Sequence, residues 1–166
     1  VREWMRLLSL PNNDISAGSD TQPILMASDG TKFGVAICYE DAFGAEQLYA
    51  LPDATVLINV SNDGWFGDWG PPQHLAQARM RAAEEGLPVL RSTTTGISAV
   101  IDARGVVRDH IGRNVAGRID TVVPPPAPPT WFAQAGHWLT LVWAIALLAL
   151  SLVAMRRAEG YPAQNT

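Results

Sequence analysis

Phe33-Gly-Val-Ala-Ile-Cys-Tyr-Glu40 is the stretch that decides the reading of this chain. Phe33 to Ile37 run apolar without alternating, which suits a strand covered on both faces. Such a strand delivers the sequence's one cysteine, Cys38, to its end, and Tyr39 and Glu40 follow at once. A thiol fixed at a strand end can be aimed over a pocket, as a covalent nucleophile requires. The plainer alternative is that Cys38 is a small buried hydrophobe, since free cysteine is among the most buried residue types.

Outward from this octet, the same kind of run recurs at Ala54 to Val60, at Val89 to Leu90 leading into Ser92, and at Ile97 to Ile101. A short strand is expected at Pro23 to Met26, among turns such as Ser28-Asp29-Gly30. His74 to Glu85 reads as a helix stopped by Gly86, with Pro88 just beyond. Leu75, Ala78 and Ala82 would face a sheet, while Arg81, Glu84 and Glu85 would meet water. Ala103-Arg104-Gly105 reads as a tight turn into Val106 to Ile111, a hairpin partner for Ile97 to Asp102. Strand, helix, strand points to a layered α/β core.

Beyond the core, Val123-Pro-Pro-Pro-Ala-Pro-Pro129 is a stiff extended spacer, because consecutive prolines favour polyproline II and cannot join a sheet. Trp138 to Met155 then carries no charged residue. With Ala133 to His137 it is long enough to cross a hydrocarbon core of about 30 Å. A buried core helix is the rival, but a terminal segment apolar on all faces behind a proline spacer favours the membrane. Arg156 and Arg157 follow directly, so the positive-inside rule puts the tail in the cytoplasm and the domain on the outer face. Trp131, Trp138 and Trp143 suit an interfacial belt. The expected divisions are a catalytic-type domain over 1–122, a linker over 123–132, a transmembrane helix over 133–157 and a short tail over 158–166.

The chain has 166 residues, 48% apolar, with a net charge of −4. That length supports one domain with a real core. No clustered basic patch is present, which excludes nucleic acid as a partner. A single cysteine excludes an internal disulfide. His110 and His137 lack ligand spacing, so no metal site is expected.

Several blocks agree in order with one family. Besides Ala36-Ile-Cys-Tyr-Glu40 there are Thr55-Val-Leu-Ile-Asn-Val-Ser-Asn-Asp-Gly-Trp-Phe-Gly-Asp-Trp-Gly-Pro-Pro-Gln-His74, Ala78-Arg-Met-Arg-Ala82, Leu90-Arg-Ser92 and Thr95-Gly-Ile-Ser-Ala-Val-Ile-Asp102. From about Ser16 onward the chain resembles the apolipoprotein N-acyltransferases, a membrane-bound branch of the nitrilase superfamily, and specifically their carboxy-terminal part. The resemblance implies a partial nitrilase-type α-β-β-α sandwich followed by one C-terminal transmembrane helix. It implies an acyltransferase that takes an acyl chain from a membrane phospholipid as a cysteine thioester. The chain then passes to the α-amino group of an apolipoprotein's diacylglyceryl-cysteine. The implied partners are the phospholipid donor, the apolipoprotein acceptor and the bilayer, with no cofactor. The implied location is the outer, periplasmic face of a bacterial inner membrane.

The resemblance also assigns roles. Cys38 matches the nucleophile of a Glu-Lys-Cys triad, Tyr39 a tyrosine of the same motif, and Glu40 a further glutamate near the site; a solvent-facing strand-end carboxylate is the alternative for Glu40. The backbone N–H of Tyr39 would be an oxyanion donor. Trp65 and Phe66, flanked by glycines, could line an acyl-chain groove or dip into lipid, or simply cap the core. His74 is expected to hold a structural hydrogen bond. Thr93-Thr94-Thr95 stands where the family usually shows asparagine. The triad's other members match nothing here: Lys32, six residues before Cys38, and Glu3 are both misplaced. The expectation is therefore a piece of a longer enzyme, inactive alone. A nitrilase-like amidase and a non-catalytic membrane-tethered domain are the competing readings.

Overall fold

The computed structural model describes residues 22–44, 53–136 and 138–159, with the side chains of 139 and 157–159 left aside. Six strands form one sheet in sequence order: β1 (Leu25–Met26), β2 (Lys32–Ile37), β3 (Val56–Ser61), β4 (Val89–Thr93), β5 (Ser98–Ile101) and β6 (Val107–Ile111). The three central strands β2, β3 and β4 run parallel, and the outer pairings are antiparallel. The non-alternating apolar runs at β2 and β3 stand at the centre of the sheet, but among the described residues a helix covers only one of its faces. Cys38 falls one residue past the end of β2, in a 3-10 turn over Cys38–Ala42.

Helix α1 (Gly70–Glu85) packs on one face of the sheet. It starts four residues before the His74 expected from sequence, with proline in its first turn, where the ring's fixed φ suits a helix start. It stops at Gly86, whose left-handed φ of 70° closes the last turn onto the Ala82 carbonyl. Ala78 and Ala82 are fully buried against Leu57, Val89, Ala99 and Ile101, with Leu75 partly buried beside them. The outward placement expected for the other side of the helix is overturned: Arg81 and Glu85 are buried, and Glu84 is only partly exposed. Arg81 lies over Gly44, its Nη1 standing where a Cβ at that glycine would be, and pairs with Glu84 at 2.7 Å.

The sheet face under α1 changes character along its strands. Leu57↔Val89 is followed by Asn59↔Arg91 and then Ser61↔Thr93, because every second residue shares a face. The strands' beginnings thus supply the apolar core, and their C-terminal ends a polar floor. On the opposite face Ile37 and Val60 are exposed.

The proline segment does more than span distance. Ala127 donates its N–H to the Gly86 carbonyl at 2.8 Å, and the Thr130 hydroxyl donates to the Glu84 carbonyl, which ties the segment to the end of α1. A short helix α2 (Trp131–Ala135) leads to α3 (Trp138–Glu159). The expected terminal helix is therefore present, with exposed apolar side chains from Leu141 to Met155. Among the described residues no helix is long and apolar enough to cross a membrane. One sheet with one helical layer is seen among the described residues, half of the expected sandwich.

Candidate functional site

β2 ends on a strained residue. Cys38 has φ 55°, left-handed backbone that a non-glycine residue adopts at a cost of about 1–3 kcal/mol. The reversal turns the half-buried thiol out of the strand line and starts the 3-10 turn. Glu40 is exposed to solvent, and its Oε2 accepts the Ile37 N–H at 2.6 Å, bracing the chain across the cysteine. Tyr39 is half exposed, its ring edge-on to Phe43 at 5.8 Å and 6.5 Å from Phe66. Trp65 is 88% exposed and Phe66 38%, so of the two only Phe66 packs, against Tyr39 and the His74 ring. Tyr39 and Phe66 are thus brought together beside the cysteine turn and roof His74, while Trp65 projects into solvent from the neighbouring turn without packing on either.

Beneath the cysteine lies a closed ionic ring, most of it absent from the sequence-based site. Arg91 donates to Asp41 Oδ2 at 3.2 Å and to Asp63 Oδ2 at 2.9 Å. On the other side His74 reaches Asp63 Oδ1 from Nδ1 at 2.8 Å and Asp41 Oδ1 from Nε2 at 2.9 Å. Asn59 completes the floor, accepting from Arg91 and donating to the Cys38 carbonyl at 3.1 Å. His74 Nε2 lies 3.1 Å from the same carbonyl. All five side chains belong to residues 3% exposed or less.

Burial makes the charge balance matter, since an unpaired buried charge is strongly unfavourable. With His74 neutral the ring would carry one net negative charge; with His74 protonated it sums to zero. The neighbours agree, because among the described residues both ring nitrogens face only acceptors, so each must carry a hydrogen. Burial alone would push the His74 pKa down, but the Asp41 hydrogen bond and charge, aided by Asp63, raise it. Burial likewise pushes Asp63 up, yet the hydrogen bonds of Ser61 and His74 and the Arg91 charge hold it below the ordinary aspartate range. Ser61 Oγ lies 2.6 Å from Asp63 Oδ1 and 3.5 Å from Cys38 Sγ. Its single proton goes to the nearer, charged acceptor, so a lone pair is left facing the thiol.

Lys32 sits at the opposite end of β2 from Cys38, about 20 Å away by strand rise, and pairs with Asp53 at 3.6 Å. That geometry separates it from the thiol's chemistry. Glu3 lies outside the described residues, as does His137.

Three comparisons bear on this arrangement. Residues 5–120 match the carbon-nitrogen hydrolase family. An apolipoprotein N-acyltransferase of Nitrosomonas europaea is 41% identical over 153 residues, which cover 89% of this chain and 30% of that protein. One from Haemophilus ducreyi is 37% identical over 160 residues, covering 95% and 31%. The chain thus spans less than a third of these relatives' length. Among solved structures, Saccharomyces cerevisiae Nit3, a nitrilase-superfamily member, aligns with a TM-score of 0.52 at 24% identity, over 61% of this chain and 40% of that one. An amidase from Nesterenkonia sp. aligns with a TM-score of 0.51 at 19% identity, over 78% and 49%. These two likenesses show the fold. The cysteine presented at the end of β2, the mixed sheet that carries it and the match over 5–120 converge: this chain belongs to the carbon-nitrogen hydrolase family, with apolipoprotein N-acyltransferases among its relatives.

Proposed function

We propose that this chain carries the nucleophile of an apolipoprotein N-acyltransferase, with Cys38 as the attacking group, Tyr39 and Glu40 beside it, and Trp65 and Phe66 contacting the acyl chain. The observation that carries this reading is the half-buried thiol held on left-handed backbone at a strand end, with the exposed Tyr39 next to it and Phe66 against the Tyr39 ring. In the first half-reaction a glutamate base takes the thiol proton, and the thiolate attacks the acyl ester carbonyl of a phospholipid. The oxyanion that forms is met by the Tyr39 N–H, since the first N–H groups of a helical turn have no partner within it. Collapse expels the lysophospholipid alkoxide, which takes back the proton, and leaves a thioester on Cys38. In the second half-reaction the α-amino group of a diacylglyceryl-cysteine attacks that thioester, an amide forms, and the thiol is regenerated.

The base and the oxyanion-stabilising lysine match no position of this chain, so the activity belongs to a polypeptide that also contains them. No described helix alone is long and apolar enough to cross, so the proposed span is the wider segment 133–157; the exposed apolar surface of α3 within it supports lipid contact, with Arg156 and the tail on the cytoplasmic side and the site on the outer face. Both substrates are lipid-borne, and anchoring confines enzyme and substrates to one surface.

The test uses a polypeptide carrying this sequence together with the triad's glutamate and lysine, supplied with phospholipid bearing a labelled acyl chain. A hydroxylamine-sensitive label on Cys38, absent from Cys38→Ser and transferred to a diacylglyceryl peptide amine, is expected. A label that persists in Cys38→Ser sinks the nucleophile assignment. Release to water alone, with no transfer to the amine, would instead favour the amidase reading.

A further inference from the structure

Cys38 is the only described non-glycine residue besides Asn114 with a left-handed φ, and its carbonyl is met by two buried side-chain donors from separate elements. Asn59 Nδ2 comes from β3 at 3.1 Å, and His74 Nε2 from α1 at 3.1 Å. Each donor is itself fixed. Arg91 holds the Asn59 oxygen, which settles the amide's orientation, and Asp63 and Asp41 hold the two His74 nitrogens. We propose that His74 and Asn59 are positioning residues that clamp the Cys38 carbonyl and thereby hold the nucleophile's left-handed backbone, His74 doing so as a charged donor. The clamp rests on the reading of Cys38 as nucleophile, and adds to it how a strained residue is kept in place without glycine.

The described groups facing His74 are all accounted for. The Asp41 and Asp63 carboxylates accept from it, and the Arg91 guanidinium lies on their far oxygens. The Tyr39 and Phe66 rings stand at 6.3 and 6.2 Å and keep water off. No described donor faces either nitrogen, so loss of the His74 proton takes the positive charge out of the hydrogen bond to Cys38 whichever nitrogen gives it up. A hydrogen bond from a charged donor is roughly twice as strong as a neutral one. The backbone at position 38 should therefore register the ionisation of a side chain 36 residues away in sequence.

The experiment is a nuclear magnetic resonance titration of the full chain in detergent micelles, on the Cys38→Ser background so that thiol ionisation does not contribute. Both His74 ring nitrogens are expected at imidazolium shifts at pH 7. On raising the pH, the carbonyl carbon of position 38 should shift with the same midpoint as the His74 ring. Adding His74→Gln, which donates but does not titrate, should abolish that movement. A position-38 carbonyl that stays flat through the His74 titration, or that still moves in the His74→Gln variant, overturns the clamp. If His74→Gln does not fold, the shared midpoint in the single variant still decides. Asn59→Leu should displace the same carbonyl resonance at every pH, and no displacement removes Asn59 from the clamp. The outcome is separable from the acyl-transfer reading: no thioester with a shared midpoint overturns that reading alone, and a thioester with no shared midpoint overturns the clamp alone.

Discussion

Asp63 receives three side-chain donors at once, from Ser61, His74 and Arg91, and its fourth neighbour is the absence of a side chain. A Cβ at position 96 would stand 2.0 Å from Asp63 Oδ2, an oxygen that Arg91 already fixes. The carboxylate cannot swing aside without breaking the ring, so Gly96→Ala should destabilise the fold by about 1–3 kcal/mol. Its urea midpoint should fall accordingly, whereas an unchanged midpoint would mean the ring is looser than drawn. Arg91→Met is the harsher change, because it leaves two buried carboxylates facing one imidazolium. A loss of about 3–5 kcal/mol is expected in the same measurement. Arg91→Lys should recover only part of it, since one ammonium cannot reproduce two N–H groups aimed at separate carboxylates.

At the scale of elements, helix α1 carries its sequence on two distinct faces. Leu75, Ala78 and Ala82 recur at three- and four-residue steps, so the sheet-facing stripe was legible from spacing, whereas His74, one step before Ala78, was assigned only through the family resemblance. The strands were legible too, because an apolar run needs no knowledge of its partners. The ring was not, because its members stand at 41, 59, 63, 74 and 91 and meet only through β3–β4 pairing and helix docking. One signal was available: Asn59 interrupts an otherwise apolar run, and a polar residue in a two-sided strand must find buried partners. Arg81 and Glu85 misled for a related reason, since charge on a helix ordinarily marks its solvent face.

Glu85 gives this helix a pH signature. Burial raises its pKa from 4.5 to about 8, against the lowering pull of the Arg81 charge and with a smaller push from Glu84, and among the described residues neither carboxylate oxygen has a hydrogen-bond partner. The folded state thus binds a proton that the unfolded chain has released, so stability falls as pH rises from about 4.5 to about 8. Glu85→Gln should therefore stabilise the protein at pH 8, by on the order of a few kcal/mol, and change little at pH 4. Equal effects at both pH values would show that Glu85 is solvated. His74 acts in the same direction, its contribution present below the ordinary histidine range and lost as pH climbs through its raised pKa. Asp63 opposes both, losing its contribution as pH falls through its lowered pKa.

For the whole molecule, the layered core and the terminal helix make different demands on solvent. The core closes under α1, while α3 leaves Leu141, Ile145, Leu148 and Leu152 exposed. Mixed with phospholipid vesicles, the full chain should float with them on a density gradient, and a chain ending after Ala135 should stay behind. Equal flotation of both would move the membrane contact to the aromatics around Cys38. The ionic ring has a consequence of another kind, for how this sequence can change over generations. Asp41, Asp63, His74 and Arg91 together sum to zero charge, and any one replacement strands its partners in the interior. Against a total stability of about 5–15 kcal/mol, a step that costs about 3–5 is a barrier most lineages do not cross. The four positions should therefore drift as one unit, exchanged in matched sets or left alone, even though none of the four side chains is the thiol that reacts.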